Sequence, residues 1–148
     1  MRRYVERWSQ AEPARILAQV PSIMMWDDHD IFDGWGSYEA ELQQCDVYKG
    51  IFAIAREYFA LYQLQLGRDE THPLSIKAQQ AFSLGAEIGG LTLVALDMRS
   101  ERTKSQVISP ESWKAIYDWF GCNVPAQKKP NPVGSTPVAD VQYSSGPS

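Results

Sequence analysis

The chain has 148 residues, enough for one domain core, and a formal net charge of −4 from 14 basic and 18 acidic side chains. No basic stripe runs along it, so nucleic acid is not an expected partner, and no apolar run approaches the ~20 residues of a membrane span. The start lacks a charged region followed by an apolar core, so no signal peptide is visible and the default compartment is the cytoplasm.

Ser9-Gln10-Ala11-Glu12 reads as a capping box that opens a short helix to about Gln19, with Pro13 in its first turns. Val20 and Pro21 end it, and Ile23 to Trp26 reads as a buried strand. That strand runs into Asp27-Asp28-His29-Asp30, three carboxylates and one imidazole side by side. From Ile31 to Tyr48 the chain is loop-like. Phe32, Trp35 and Tyr38 there read as the packing of a long loop, with a substrate-pocket wall as the alternative.

Gly50 to Leu66 carries Ile51, Ile54, Ala55, Tyr58, Phe59, Tyr62 and Leu66 at helical spacing, with Gly67 as the stop and Arg56 and Glu57 toward water or the helix rim. His72 falls in a polar loop before Pro73. Ala81 to Leu84 and Leu91 to Leu96 read as a hairpin turned by Glu87-Ile88-Gly89-Gly90, the second strand apolar enough to be covered on both faces. Ser109-Pro110-Glu111 opens a last helix that Gly121 should stop after Phe120. Beyond it the composition shifts to Pro, Ser, Gly and Val, which reads as a disordered tail. Residues 1–120 are thus expected to form a folded unit and 121–148 a low-order one. Cys45 and Cys122 stand outside any ligand-spaced motif and read as free thiols.

The acidic run at a strand end is the chemically loaded feature. In layered α/β folds ligands collect where strands leave the sheet, hard cations take carboxylate oxygens, and His adds a metal ligand or a proton donor. The pattern points to metal-assisted chemistry on an anionic substrate. The plain alternative is a solvated acidic turn.

The stretch Val20 to Gly36, with Trp26-Asp27-Asp28-His29-Asp30 at its centre, resembles the alkaline phosphatase D-like (PhoD-like) metallophosphatases. So does Ala95-Leu96-Asp97-Met98-Arg99-Ser100-Glu101-Arg102, which is similar to that family's later strand end. The resemblance covers about Tyr4 to Trp119. It implies the calcineurin-like metallophosphoesterase fold, an α/β sandwich of two mixed sheets flanked by helices. It implies two divalent or trivalent metal ions and a metal-activated water that hydrolyses a phosphoester. Calcium, iron, manganese, magnesium and zinc are not distinguished, nor are mono- and diester substrates.

Carried over by position, Asp28 falls at a metal ligand, with Asp27 beside it. His29 falls at the group that contacts phosphate and protonates the leaving oxygen, and Asp30 at the acid that orients it. Arg99 is a candidate phosphate contact, or an ion-pair partner of Asp97 or of the acidic run.

The superfamily's other ligand motifs are missing, and the chain has only two histidines, His29 and His72. The expectation is therefore an incomplete metallophosphatase domain, a fragment whose isolated chain is inactive. The rival reading is an inactive remnant or interaction piece that keeps the motif by descent. A His-Asp phosphohydrolase reading of His29-Asp30 fails for want of an upstream histidine. Nothing in the sequence sets an oligomeric state.

Overall fold

A computed structural model describes residues 2–76 and 81–123. The elements are α1 (Arg2–Trp8), α2 (Ala11–Gln19), α3 (Ala40–Gln43), α4 (Asp46–Tyr58), β1 (Leu84–Ile88), β2 (Leu91–Ala95) and α5 (Pro110–Asn123). A π-helical turn, Phe59–Gln63, continues α4. The set is mixed α/β, with one two-stranded antiparallel sheet among the described residues. The tail expected beyond α5 lies outside the described residues, apart from Gly121 to Asn123, which are helical. Gly121 therefore does not stop α5.

The hairpin pairs Leu84 with Ala95 and Ile88 with Leu91. Only Gly89 and Gly90 make the turn, at φ of 57° and 85°, where side-chain-bearing residues are strained. Glu87 and Ile88, expected in the turn, belong to β1 instead. Ser75 forms an antiparallel bridge with Leu84 on the outer side of β1. β2 is not covered on both faces: Leu91 and Leu93 are exposed.

Ile23 to Trp26 forms no strand. The expected buried strand is thus corrected. Its side chains are anchored by packing rather than by a ladder. Trp26 is buried, stacked on Phe59 with ring centroids 5.1 Å apart, and meets Phe82 edge-on at 5.3 Å. Trp35 stacks on Phe52 at 5.0 Å, and Phe32 meets Tyr48 edge-on at 4.7 Å. Such ring pairs add about 0.5–1.5 kcal/mol beyond area burial. Of the aromatics after the acidic run, Trp35 is in the core and Phe32 packs against it, while Tyr38 is half-buried.

α4 begins before the expected Gly50, and α3 lies inside the expected loop. The helix gives way at Phe59, where the Leu64 amide donates to the Phe59 carbonyl, one residue wider than an α-turn. Gln65, not Gly67, then takes the left-handed conformation, at φ 56°. Arg56 is half-buried, and its guanidinium lies 4.1 Å from the centroid of the Phe82 ring. Burial lowers its pKa below the usual guanidinium range, with the charge of Asp97 opposing.

A second small core joins Ile76, Ile108 and Ile116, against Val94, Leu96 and Trp119. α5 is capped as its sequence asks, since the Ser112 amide donates to Ser109 Oγ at 3.1 Å. Glu101 adds to that cap, accepting from the Ser109 amide and from Ser112 Oγ, both at 2.8 Å. The Ser9 hydroxyl instead donates back to the Val5 carbonyl, and the residue before α2 is Gln10, with no side-chain cap. The capping box is thus replaced by the end of α1.

Candidate metal centre

Asp97 sits just beyond the end of β2, almost wholly buried at 1% exposure. A buried carboxylate is costly unless its oxygens are satisfied. Oδ1 accepts from Trp26 Nε1 at 2.9 Å, from the Arg99 amide at 2.9 Å and from the Ser100 amide at 3.0 Å. Oδ2 accepts from the Phe82 amide at 2.7 Å and from the Ser100 hydroxyl. Asp97 therefore fastens the indole just before the acidic run to the strand end of the hairpin. The two sequence motifs, 71 residues apart, meet here.

The acidic loop folds on its own side chains. Asp27 Oδ1 accepts from the His29 amide at 2.8 Å, while Asp30 Oδ2 accepts from the Asp27 amide at 3.0 Å. This is the reciprocal pattern of an Asx turn closed by a return bond. Asp28 Oδ2 accepts from the Gly34 amide at 2.9 Å. That amide bond holds the Asp28 carboxyl below its ordinary 3.8; burial opposes it, and the nearby Arg99 and His29 charges add to it. Asp28 is thus ready as a carboxylate.

Three ligand atoms converge, one each from Asp27, Asp28 and His29, all within 4.8 Å of one another. It is the single such group among the described residues. The exposed imidazole has Nδ1 3.6 Å from Asp28 Oδ1 and 3.8 Å from Asp27 Oδ1, and Nε2 3.4 Å from Asp33 Oδ1. Asp33 was not singled out by sequence, although its i,i+4 spacing from His29 was the available signal. Asp30 turns to Gln63, whose Nε2 donates to Asp30 Oδ1 at 2.6 Å. Gln63 lies in the π-turn, a feature without a sequence signature, so it was missed.

Arg99 Nη2 lies 3.4 Å from Asp28 Oδ1, and its Nη1 approaches the Trp35 carbonyl at 3.5 Å. Of the alternatives open for Arg99, the structure shows the pairing with the acidic run. His72 stays in its loop, its Nδ1 accepting from the Leu74 amide at 3.2 Å. The cysteines are free.

Residues 1–126 match the family model described as PhoD related phosphatase. The chain belongs to this family. The PhoD-related chain is also 28% identical over 122 residues to an uncharacterized protein of Saccharomyces cerevisiae, YGR266W, in an alignment covering 69% of this chain. It spans 17% of the length of that relative. No solved structure matches. No described helix of this PhoD-related chain is long and apolar enough to cross a membrane.

Proposed function

We propose that the chain carries a metal-ligand loop of a metal-dependent phosphoester hydrolase. The observation that carries this reading is the convergence of Asp27, Asp28 and His29 in a chain of the PhoD-related phosphatase family. The two carboxylates, Asp28 biased toward its ionised form, suit a hard cation. Asp27 and Asp28 would hold the ion. When bound, it would supply a Lewis acid that polarises a phosphoryl oxygen and acidifies water.

His29 is assigned the proton donor to the departing oxygen. Its imidazole is exposed, with carboxylates on both nitrogens to fix its orientation. Asp30 is assigned a positioning role, through its bonds to the Asp27 amide and to Gln63. Arg99, beside Asp28, is assigned the contact to a phosphoryl oxygen. The metallophosphatase sandwich is the fold we assign to the whole domain. The single ligand cluster among the described residues supports the rival reading for this chain alone, a piece that binds a cation without turnover.

The test is hydrolysis of aryl phosphates of graded leaving-group acidity by a full-length family member carrying this loop. His29→Ala should retain metal while turnover falls by ~10²–10⁴ on poor leaving groups, and by less on nitrophenol. An equal loss on all substrates with an emptied metal site would make His29 a ligand instead.

A further inference from the structure

Phe59 and Leu64 are both buried, five residues apart. In an α-helix the next residue on the face of Phe59 is four along, which is Gln63. The π-turn widens that step to five. Leu64 therefore takes the core position, and Gln63 is left half-buried at the rim. The Leu64 amide, donating to the Phe59 carbonyl at 3.1 Å, closes the wide turn. Such turns are rare in helices and frequent at functional sites.

The extra residue gives Gln63 its reach to the acidic loop. Gln63 Nε2 donates to Asp30 Oδ1 at 2.6 Å, and Asp30 Oδ2 accepts from the Asp27 amide at 3.0 Å. Asp27 is in turn one of the three groups that converge with Asp28 and His29. Asp27 and His29 are both exposed. Ligands on an exposed loop must be ordered when a cation binds, and a tie to a rigid element lowers that cost. The end of α4, anchored by Phe59 stacked on Trp26, is such an element. Asp30 is half-buried, so its bond to Gln63 is partly shielded from water.

We infer that Gln63 is a positioning residue for the metal loop, an inference that rests on the metal reading of Asp27, Asp28 and His29. Through Asp30 it fixes the Asp27 backbone, and so the place of the Asp27 carboxylate. The π-turn is the device that brings it there.

The experiment uses the full chain and Gln63→Leu, which removes the donor and keeps the bulk. In EDTA, amide hydrogen exchange is read by NMR. The Asp27 amide should exchange about fivefold faster in the variant. The Gly34 amide, held by Asp28 instead, should not change. A general loosening of the fold would accelerate both amides.

Mn²⁺ titration is the second arm. Gln63→Leu should weaken binding about fivefold, below the roughly 10–100-fold of groups that touch a ligand directly. In the Asp30→Ala chain the same substitution should cost nothing more, since the path is already cut. An unchanged Asp27 amide, equal acceleration of both amides, or the same Mn²⁺ loss in both Asp30 backgrounds would overturn the inference. So would a Gln63→Leu chain that binds Mn²⁺ as the wild type does. A wild-type chain that binds no Mn²⁺ would instead sink the metal reading, and the role of Gln63 with it.

Discussion

The indole of Trp26 donates to Asp97 Oδ1 at 2.9 Å, and both residues are at most 3% exposed. This bond joins the residue before the acidic loop to a residue just beyond the end of β2. It fixes where Asp27, Asp28 and His29 leave the core.

Asp97→Ala should therefore destabilise the chain by roughly 3 kcal/mol or more, since it strands several buried donors. Asp97→Asn should recover little of that loss. Its two oxygens now meet only donors, and the amide replaces one acceptor with a further donor. Urea denaturation with unchanged slope is the measurement. A near-native midpoint for Asp97→Asn would show that Oδ2 does not carry the Phe82 amide.

Glycines separate close contact from mere flexibility. A Cβ on Gly85 would lie 2.6 Å from Trp119 Cε2, so Gly85→Ala should destabilise by about 1–3 kcal/mol as β1 and α5 are pushed apart. Gly50 lies inside α4 and a Cβ there meets nothing within 4 Å, so Gly50→Ala should stabilise by about 0.5–1 kcal/mol. Melting temperatures moving in the same direction for both would contradict this packing.

The Gly34–Asp28 bond has a pH signature. A carboxyl depressed in the fold contributes stability that is complete above its ordinary 3.8 and is lost as pH falls through the depressed value. Wild-type stability should thus decline below about pH 4, and Asp28→Asn should remove part of that decline. Thermal melts across acid pH measure it, and identical profiles would rule out the depression.

Much of this was legible where a local pattern matched a burial demand. The spacing of Ala55 and Phe59 marked the helix face that packs in the core with Trp26, while Ile51 and Ile54, expected on the same stripe, are exposed and Phe52 takes their place against the indole. Gly89-Gly90 gave the hairpin because only glycine takes both left-handed positions easily. Ser109 and Pro110 marked the start of α5.

What was not legible depended on distant partners. Ile23 to Trp26 has strand composition, but a strand needs a neighbour's backbone, and stacking on Phe59 and Phe82 holds it instead. The π-turn leaves no periodic trace, so the reach of Gln63 to Asp30 was invisible. Asp97 read as part of a motif, yet its role as a buried acceptor follows only from the meeting of segments 71 residues apart. At the acidic loop, the convergence of Asp27, Asp28 and His29 follows from adjacency, while the approach of Asp33 required the turn to close.

Metal binding by the loop tests the central claim most directly. Titration of the chain with Mn²⁺, followed by its electron paramagnetic signal, should show saturable binding. Asp28→Ala should weaken it at least about tenfold, through loss of an ionised oxygen ligand. Asp28→Asn keeps an oxygen and should retain more metal than Asp28→Ala. Mn²⁺ binding equal in wild type, Asp28→Ala and Asp27→Ala would contradict the assignment of this loop as a metal centre.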